Sequence, residues 1–223
     1  MKMWATVLVT ALLLSVAASQ DVIGDEHLLV LVDPAAPLEE AWTHRKFGAA
    51  TEYRRVEVDG TPYIRAIGRN SASGLYGEVN FHPATYPWLE WTWRVDKLQK
   101  SADIRTKAGE DMAAAIYLLF GRPSWIRPEV PTLAYVWTND KLPKGSVVPS
   151  PHHPGMVRGI VLESGTENLG QWVRNRRNIV EDYRNAFGME PPGPIEMIAL
   201  WSDNDQTGEP VEAYYGAVHA LKE

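Results

Sequence analysis

Leu89-Glu90-Trp91-Thr92-Trp93-Arg94-Val95 is the stretch on which the fold of this chain turns. Leu89, Trp91, Trp93 and Val95 alternate with Glu90, Thr92 and Arg94. At the two-residue period of a strand the first set lines one face and the second set the other; at a helical period the two sets would mix around the surface. The segment therefore reads as a strand with one dry face. Two indoles on that face need apolar cover, and for a strand the cover is a second layer.

Short β-branched or aromatic runs bounded by Gly, Pro, Asn or Asp recur on both sides of this stretch. They predict strands at 27–33, 52–58, 63–69, 75–80, 88–95, 112–120, 132–138, 157–163, 195–201 and 211–218. Asp59-Gly60 joins the second and third as a hairpin, because a two-residue turn needs the positive φ that Asp-Gly supplies. The runs 112–120 and 195–201 are apolar almost throughout, as befits central strands covered on both faces. One helix is expected at 178–187. Asn178 serves as its N-cap with Glu181 three residues on, and Ile179, Tyr183, Ala186 and Phe187 share a face. Gly188 ends it, and Pro191-Pro192 keep it from resuming. The expected class is all-β: a two-sheet jelly-roll sandwich of antiparallel strands, with this helix packed on an edge or one end.

With no cysteine in 223 residues, the fold must rest on its core, and thiol catalysis and Cys-ligated zinc are excluded. Lys2, the apolar run from Met3 to Leu14 and the small residues Ser15-Val16-Ala17-Ala18-Ser19 form the pattern of a secretory leader. The run is shorter than the ~20 residues that cross a bilayer. The expectation is a signal peptide over 1–19, then a single β-sandwich domain over 20–223, in a periplasmic or secreted protein. The formal charge is −6, and loss of Lys2 makes it one unit more negative. Such a surface repels phosphate backbones, so nucleic acid is not expected as a partner, and no apolar stretch beyond the leader is long enough to span a membrane.

Several motifs stand in a distinctive order. They are Ser71-Ala72-Ser73-Gly74-Leu75, the 89–96 stretch with Asp96, Lys107-Ala108-Gly109-Glu110-Asp111, Tyr135-Val136-Trp137, and Arg177-Asn178 through Asp182-Tyr183 to Phe187-Gly188. Asp203-Asn204-Asp205-Gln206-Thr207 and Tyr214-Tyr215-Gly216 complete the set. Together they resemble an exported bacterial family known as domain of unknown function 3047, over nearly all of the chain past the leader. The resemblance implies a β-sandwich similar to galactose-binding and other carbohydrate-binding domains, and implies no activity. The chain departs from the family pattern at Ala113-Ala114-Ala115, where the family often carries an Arg after the acidic pair.

The residues suited to chemistry fall in four groups. Asp203, Asp205 and Thr207, before Gly208, alternate oxygen-bearing side chains as a calcium loop does, although Tyr214 stands where an EF-hand would place its closing Glu. A solvated turn is the plainer reading of that loop. Glu110-Asp111 would point to opposite faces if both lay on a strand, so acid–base chemistry would need a partner such as Glu90, Asp203 or Asp205 across a cleft. His152-His153 has no third metal ligand at a recognisable spacing. Arg174, Arg176 and Arg177 beside Trp172 suit an anionic or sugar ligand at a helix start, unless Glu181 and Asp182 neutralise them.

The leading expectation is a non-catalytic binder of carbohydrate or another envelope polymer, with Trp137 and Trp172 as stacking rings. Glu90, Arg94, Asn139, Arg176, Arg177, Asp203 and Tyr214 would supply polar contacts, and calcium is the one cofactor considered. The alternatives are an enzyme acting on a polysaccharide through Glu90, Asp111, Asp203 or Asp205, and a structural envelope protein marked by a flat apolar patch.

Overall fold

A computed structural model describes residues 27–126 and 129–223; the leader expected over 1–19 lies outside the described residues. The elements run β1 (Leu28–Val32), α1 (Leu38–Ala41), β2 (Thr43–Lys46), β3 (Glu52–Val58), β4 (Thr61–Gly68), β5 (Ser73–Phe81) and β6 (Trp88–Lys97). They continue with β7 (Ala114–Leu119), β8 (Thr132–Thr138), β9 (Val147–Pro149), β10 (Val157–Ser164), β11 (Val173–Asn178), α2 (Ile179–Phe187), β12 (Ile195–Trp201) and β13 (Val211–Leu221).

The strands form the two sheets of a jelly-roll β-sandwich. A six-stranded sheet has the order β11-β6-β13-β4-β3, with β1 also paired to β13; a seven-stranded sheet has the order β2-β5-β12-β7-β8-β10-β9. Neighbours are antiparallel with one departure from expectation, since β8 and β10 run parallel. A parallel neighbour needs a crossover of a dozen or more residues, and the long connection from Asn139 to Met156 provides it.

The alternation in β6 does what its sequence requires. Leu89, Trp91, Trp93 and Val95 are buried at 3 % exposure or less, while Glu90, Thr92 and Arg94 face outward. Ring contacts join the layers, Trp91 meeting Tyr135 of β8 at 5.0 Å between centroids and Trp93 meeting Trp137 at 5.9 Å. The hairpin between β3 and β4 turns on Asp59 (φ 50°) and Gly60 (φ 77°), both in the left-handed region. Helix α2 is capped as expected: the Asn178 side chain accepts the Val180 and Glu181 N–H groups at 3.1 Å each, and Gly188 (φ 72°) closes the other end.

The seven-stranded sheet is covered on both faces. On its outer side Ala115, Ala134, Val136, Val148 and Val161 lie under Ile104 and Met112, and Leu119 and Met197 lie under Val130. That cover comes from connecting segments, and it leaves one part of the outer face open.

Candidate functional site

The open part is a cavity of about 340 Å³ on the outer face of the seven-stranded sheet. Tyr76 of β5, Tyr117 of β7 and Trp201 at the end of β12 line it. Period two explains Tyr117, which points away from the core that Ile116 and Leu118 enter. Phe47, just past β2, is 66 % exposed and stands 5.4 Å from the Trp201 ring. Tyr117 meets the same indole edge-on at 6.0 Å.

Carboxylates and imidazoles complete the lining, with Glu110, Asp203, Asp205, His152 and His153. A buried polar network fixes the loop that carries the two aspartates. Ser202 donates to the Ala113 carbonyl at 2.8 Å, and Thr51 donates to the Ser202 carbonyl at 2.7 Å. Asn204 accepts the Ser71 N–H at 2.9 Å and donates to the Glu209 carbonyl at 2.7 Å. Asp111 then grips the loop from below, accepting the Gln206 and Thr207 N–H groups at 3.2 and 2.7 Å. Asp203 reciprocates by accepting the Met112 N–H at 2.8 Å.

This zipper brings oxygens of Asp111, Asp203 and Asp205 within 4.8 Å of one another. Those three, rather than Asp203, Asp205 and Thr207, are the residues whose side chains converge. Thr207 turns its backbone N–H to Asp111 and accepts the Glu209 N–H with its hydroxyl. A divalent cation would have to share Asp111 and Asp203 with the backbone amides they already hold.

The site is electrostatically unfavourable to its own acids. Burial pushes the Asp203 carboxyl well above the usual carboxylate range, against the Met112 N–H it accepts, and Asp111 and Asp205 push the same way. Burial also raises Glu110, offset in part by Ser150 and the two histidines; His152 lies 3.5 Å away. Asp205 is raised by burial and by Asp111. A carboxyl whose folded pKa is raised withdraws stability as pH climbs from the unfolded value through the folded one. Asp203→Asn removes that ionisation, so the melting temperature of the variant minus that of the wild type should climb as pH rises above the usual carboxylate range. Thermal melts at rising pH check it; a flat or falling difference refutes the raised carboxyl.

Of the residues expected to bind a ligand, only Asp203 lines this cavity. Trp137, expected at a surface, is fully buried because it packs against Trp93 between the sheets. Asn139 is buried too, its amide spent on the Gln99, Lys100 and Ala102 carbonyls. Trp172 is stacked on Tyr63 at 3.9 Å, and the Arg94 guanidinium lies 5.2 Å over its ring. Arg94 also holds Asp96 at 2.6 Å. Glu90 is on the outer face of the opposite sheet, paired with Arg174 at 2.7 Å and Arg176 at 3.3 Å. Arg177 binds Asp182 through its Nε at 2.8 Å. Tyr214 donates to Glu212 at 2.9 Å. Burial would raise Glu212, but hydrogen bonds from Lys97, Arg65 and Tyr214 outweigh it and hold the carboxyl at about 2. Glu110 and Asp111 precede β7 instead of lying on it, so strand geometry does not separate them.

Comparison with other proteins gives a family. A family described as "Protein of unknown function (DUF3047)" matches residues 40–219. No curated protein matches the chain by sequence. Among solved structures, a family 30 carbohydrate-binding module of the cellulosomal cellulase Cel9D-Cel44B of Clostridium thermocellum aligns at 9% identity and TM-score 0.45, over 88% of this chain and 98% of that one. The xyloglucanase domain of NopAA, a type three effector from Sinorhizobium fredii in complex with cellobiose, aligns at 8% identity and TM-score 0.41, over 78% and 90%. The glycoside hydrolase domain of Endo-D from Streptococcus pneumoniae R6 aligns at 6% identity and TM-score 0.41, over 82% of this chain but only 22% of that one.

Proposed function

We propose that this chain, which belongs to the DUF3047 family of proteins of unknown function, is an exported carbohydrate-binding protein that holds its ligand in the cavity of the seven-stranded sheet. One observation carries the reading: the rings of Phe47, Tyr76, Tyr117 and Trp201 share a cavity with Glu110, Asp203 and Asp205. A sugar ring has apolar C–H faces that stack on aromatic rings and a rim of hydroxyls that donate to carboxylates, so it uses both kinds of wall at once. The apolar run after Lys2 supports export.

Titration calorimetry of the purified protein with cello-, xylo- and chito-oligosaccharides tests this. Saturable binding of at least one is expected, weakened about tenfold by Phe47→Ala, since an exposed stacking ring is worth on the order of 1 kcal/mol or more. Phe47 is exposed, so its loss leaves the core intact. Failure of every oligosaccharide to bind, or unchanged binding by the variant, would overturn the proposal.

The raised carboxyl of Glu110 favours a second reading, hydrolysis of the bound glycan with Glu110 as proton donor. Asp111 and Asp203 are occupied with backbone amides, which favours binding over hydrolysis. New reducing ends in the same incubations, lost in Glu110→Gln, would support hydrolysis; their absence would remove it and leave binding untouched.

A further inference from the structure

Five acidic residues are buried among the described residues: Asp111, Glu163, Asp182, Asp203 and Glu212. Three of them have basic partners. Glu163 pairs with Lys144 at 2.8 Å, Asp182 with Arg177, and Glu212 with Arg65 at 2.5 Å and Lys97 at 2.9 Å. The other two, Asp111 and Asp203, accept only uncharged N–H groups and converge with Asp205; Asp203 and Asp205 line the cavity, and Asp111 holds the loop that carries them. Glu110 joins them on the lining, facing a histidine rather than a Lys or Arg. Among the described residues lining the cavity there is no Lys or Arg. Behind Tyr76 of the lining, the Arg45 guanidinium is laid over the ring at 4.7 Å. His153 is engaged by Glu129 at 2.9 Å.

Burying unpaired carboxylates is expensive, and proteins otherwise pair them or give them a cation. Elsewhere in this fold that pairing is made; on the cavity lining Glu110, Asp203 and Asp205 have no Lys or Arg beside them. An acidic sugar would add a further negative charge to the same low-dielectric space, where repulsion is strongest. An ammonium group would supply the missing partner, while the aromatic rings take the apolar face of the ring that carries it.

We infer that the cavity selects a cationic glycan, an amino sugar with a free ammonium group, over neutral, acetylated or acidic sugars. This rests on the cavity being the carbohydrate site, and the test separates the two claims. The probes are β-1,4-linked tetramers of glucosamine, of N-acetylglucosamine and of glucose, titrated into the protein at about pH 6, where the ammonium keeps its proton. Each is run with EDTA and again with calcium chloride.

The glucosamine tetramer should bind about tenfold tighter than the other two at low salt, and the gap should close as salt is added. Asp205→Asn and Glu110→Gln should each move its affinity towards that of the glucose tetramer. Two results overturn the inference while leaving carbohydrate binding in place: equal or tighter binding of a neutral tetramer, or a glucosamine preference that survives both substitutions. Binding that vanishes in EDTA and returns with calcium also overturns it, because a metal ion then satisfies the carboxylates. No binding by any of the three overturns both claims.

Discussion

Trp93→Ala should cost about 3–5 kcal/mol of stability, read as a lower midpoint in urea unfolding. Trp93 has no exposed surface and stands in the middle strand pairings of the six-stranded sheet, between β11 and β13. Its ring meets Trp91 edge-on at 5.5 Å and Trp137 of the other sheet at 5.9 Å. Removing it leaves a void walled by stiff aromatic rings on paired strands, which cannot collapse to fill it. No disulfide shares the load, because the chain has no cysteine. Trp93→Phe should cost much less. It keeps a ring in place, and the indole N–H it removes is buried without a partner, so no hydrogen bond is lost. An Ala variant that unfolds at the wild-type midpoint would show that the sheets are not held by this pair of indoles.

The same physics explains which elements are legible in the sequence. Strands whose residues face the core declare themselves by alternation or by continuous apolar runs; β3, β8 and β12 lie at the expected residues at both ends. Turn and cap chemistry is local, so Asp59-Gly60 and the Asn178 cap are read directly. The strands without a sequence signal are β2, β9 and β11. All three stand at or beside a sheet edge, where backbone pairing alone makes the strand. In β11, Val-Arg-Asn-Arg-Arg-Asn reads as a basic knot because its side chains answer to Glu90 and Asp182 rather than to a core.

The site was legible only in pieces. Asp203, Asp205, Glu110 and Asp111 are visible as acids near turns, but their convergence depends on the strand order β2-β5-β12-β7-β8, which is not sequence order. Tyr76, Tyr117 and Phe47 carry no local mark that separates an open outer face from a covered one. Tyr117 sits in an apolar run whose two faces are both buried nearby, so only the course of the connecting segments decides that its ring is left in a cavity. The rings and polar groups expected to bind sugar, by contrast, were consumed by local partners: Trp172 by Tyr63 and Arg94, and Asn139 by three carbonyls.

Asp182→Ala should destabilise the protein by about 2–4 kcal/mol. Asp182 lies on α2 at 5 % exposure, and its carboxylate accepts the Tyr135 hydroxyl at 2.9 Å and the Arg177 Nε at 2.8 Å. Tyr135 is fully buried, so truncation strands its hydroxyl without an acceptor in the core. The Arg177 side chain keeps 37 % of its surface in water, so solvent relieves part of its lost pairing and the cost falls below that of a fully buried ion pair. Tyr135→Phe deletes the donor but leaves Arg177 on the carboxylate, and should cost only about 1 kcal/mol. The double variant should lose less than the two single losses added together, because the phenyl ring has no hydroxyl to strand. Chemical unfolding of the four proteins completes the cycle. If Asp182→Ala costs no more than Tyr135→Phe, Arg177 is not committed to the helix, and a ligand role for the basic residues before α2 returns; a large loss ties Arg177 to the fold.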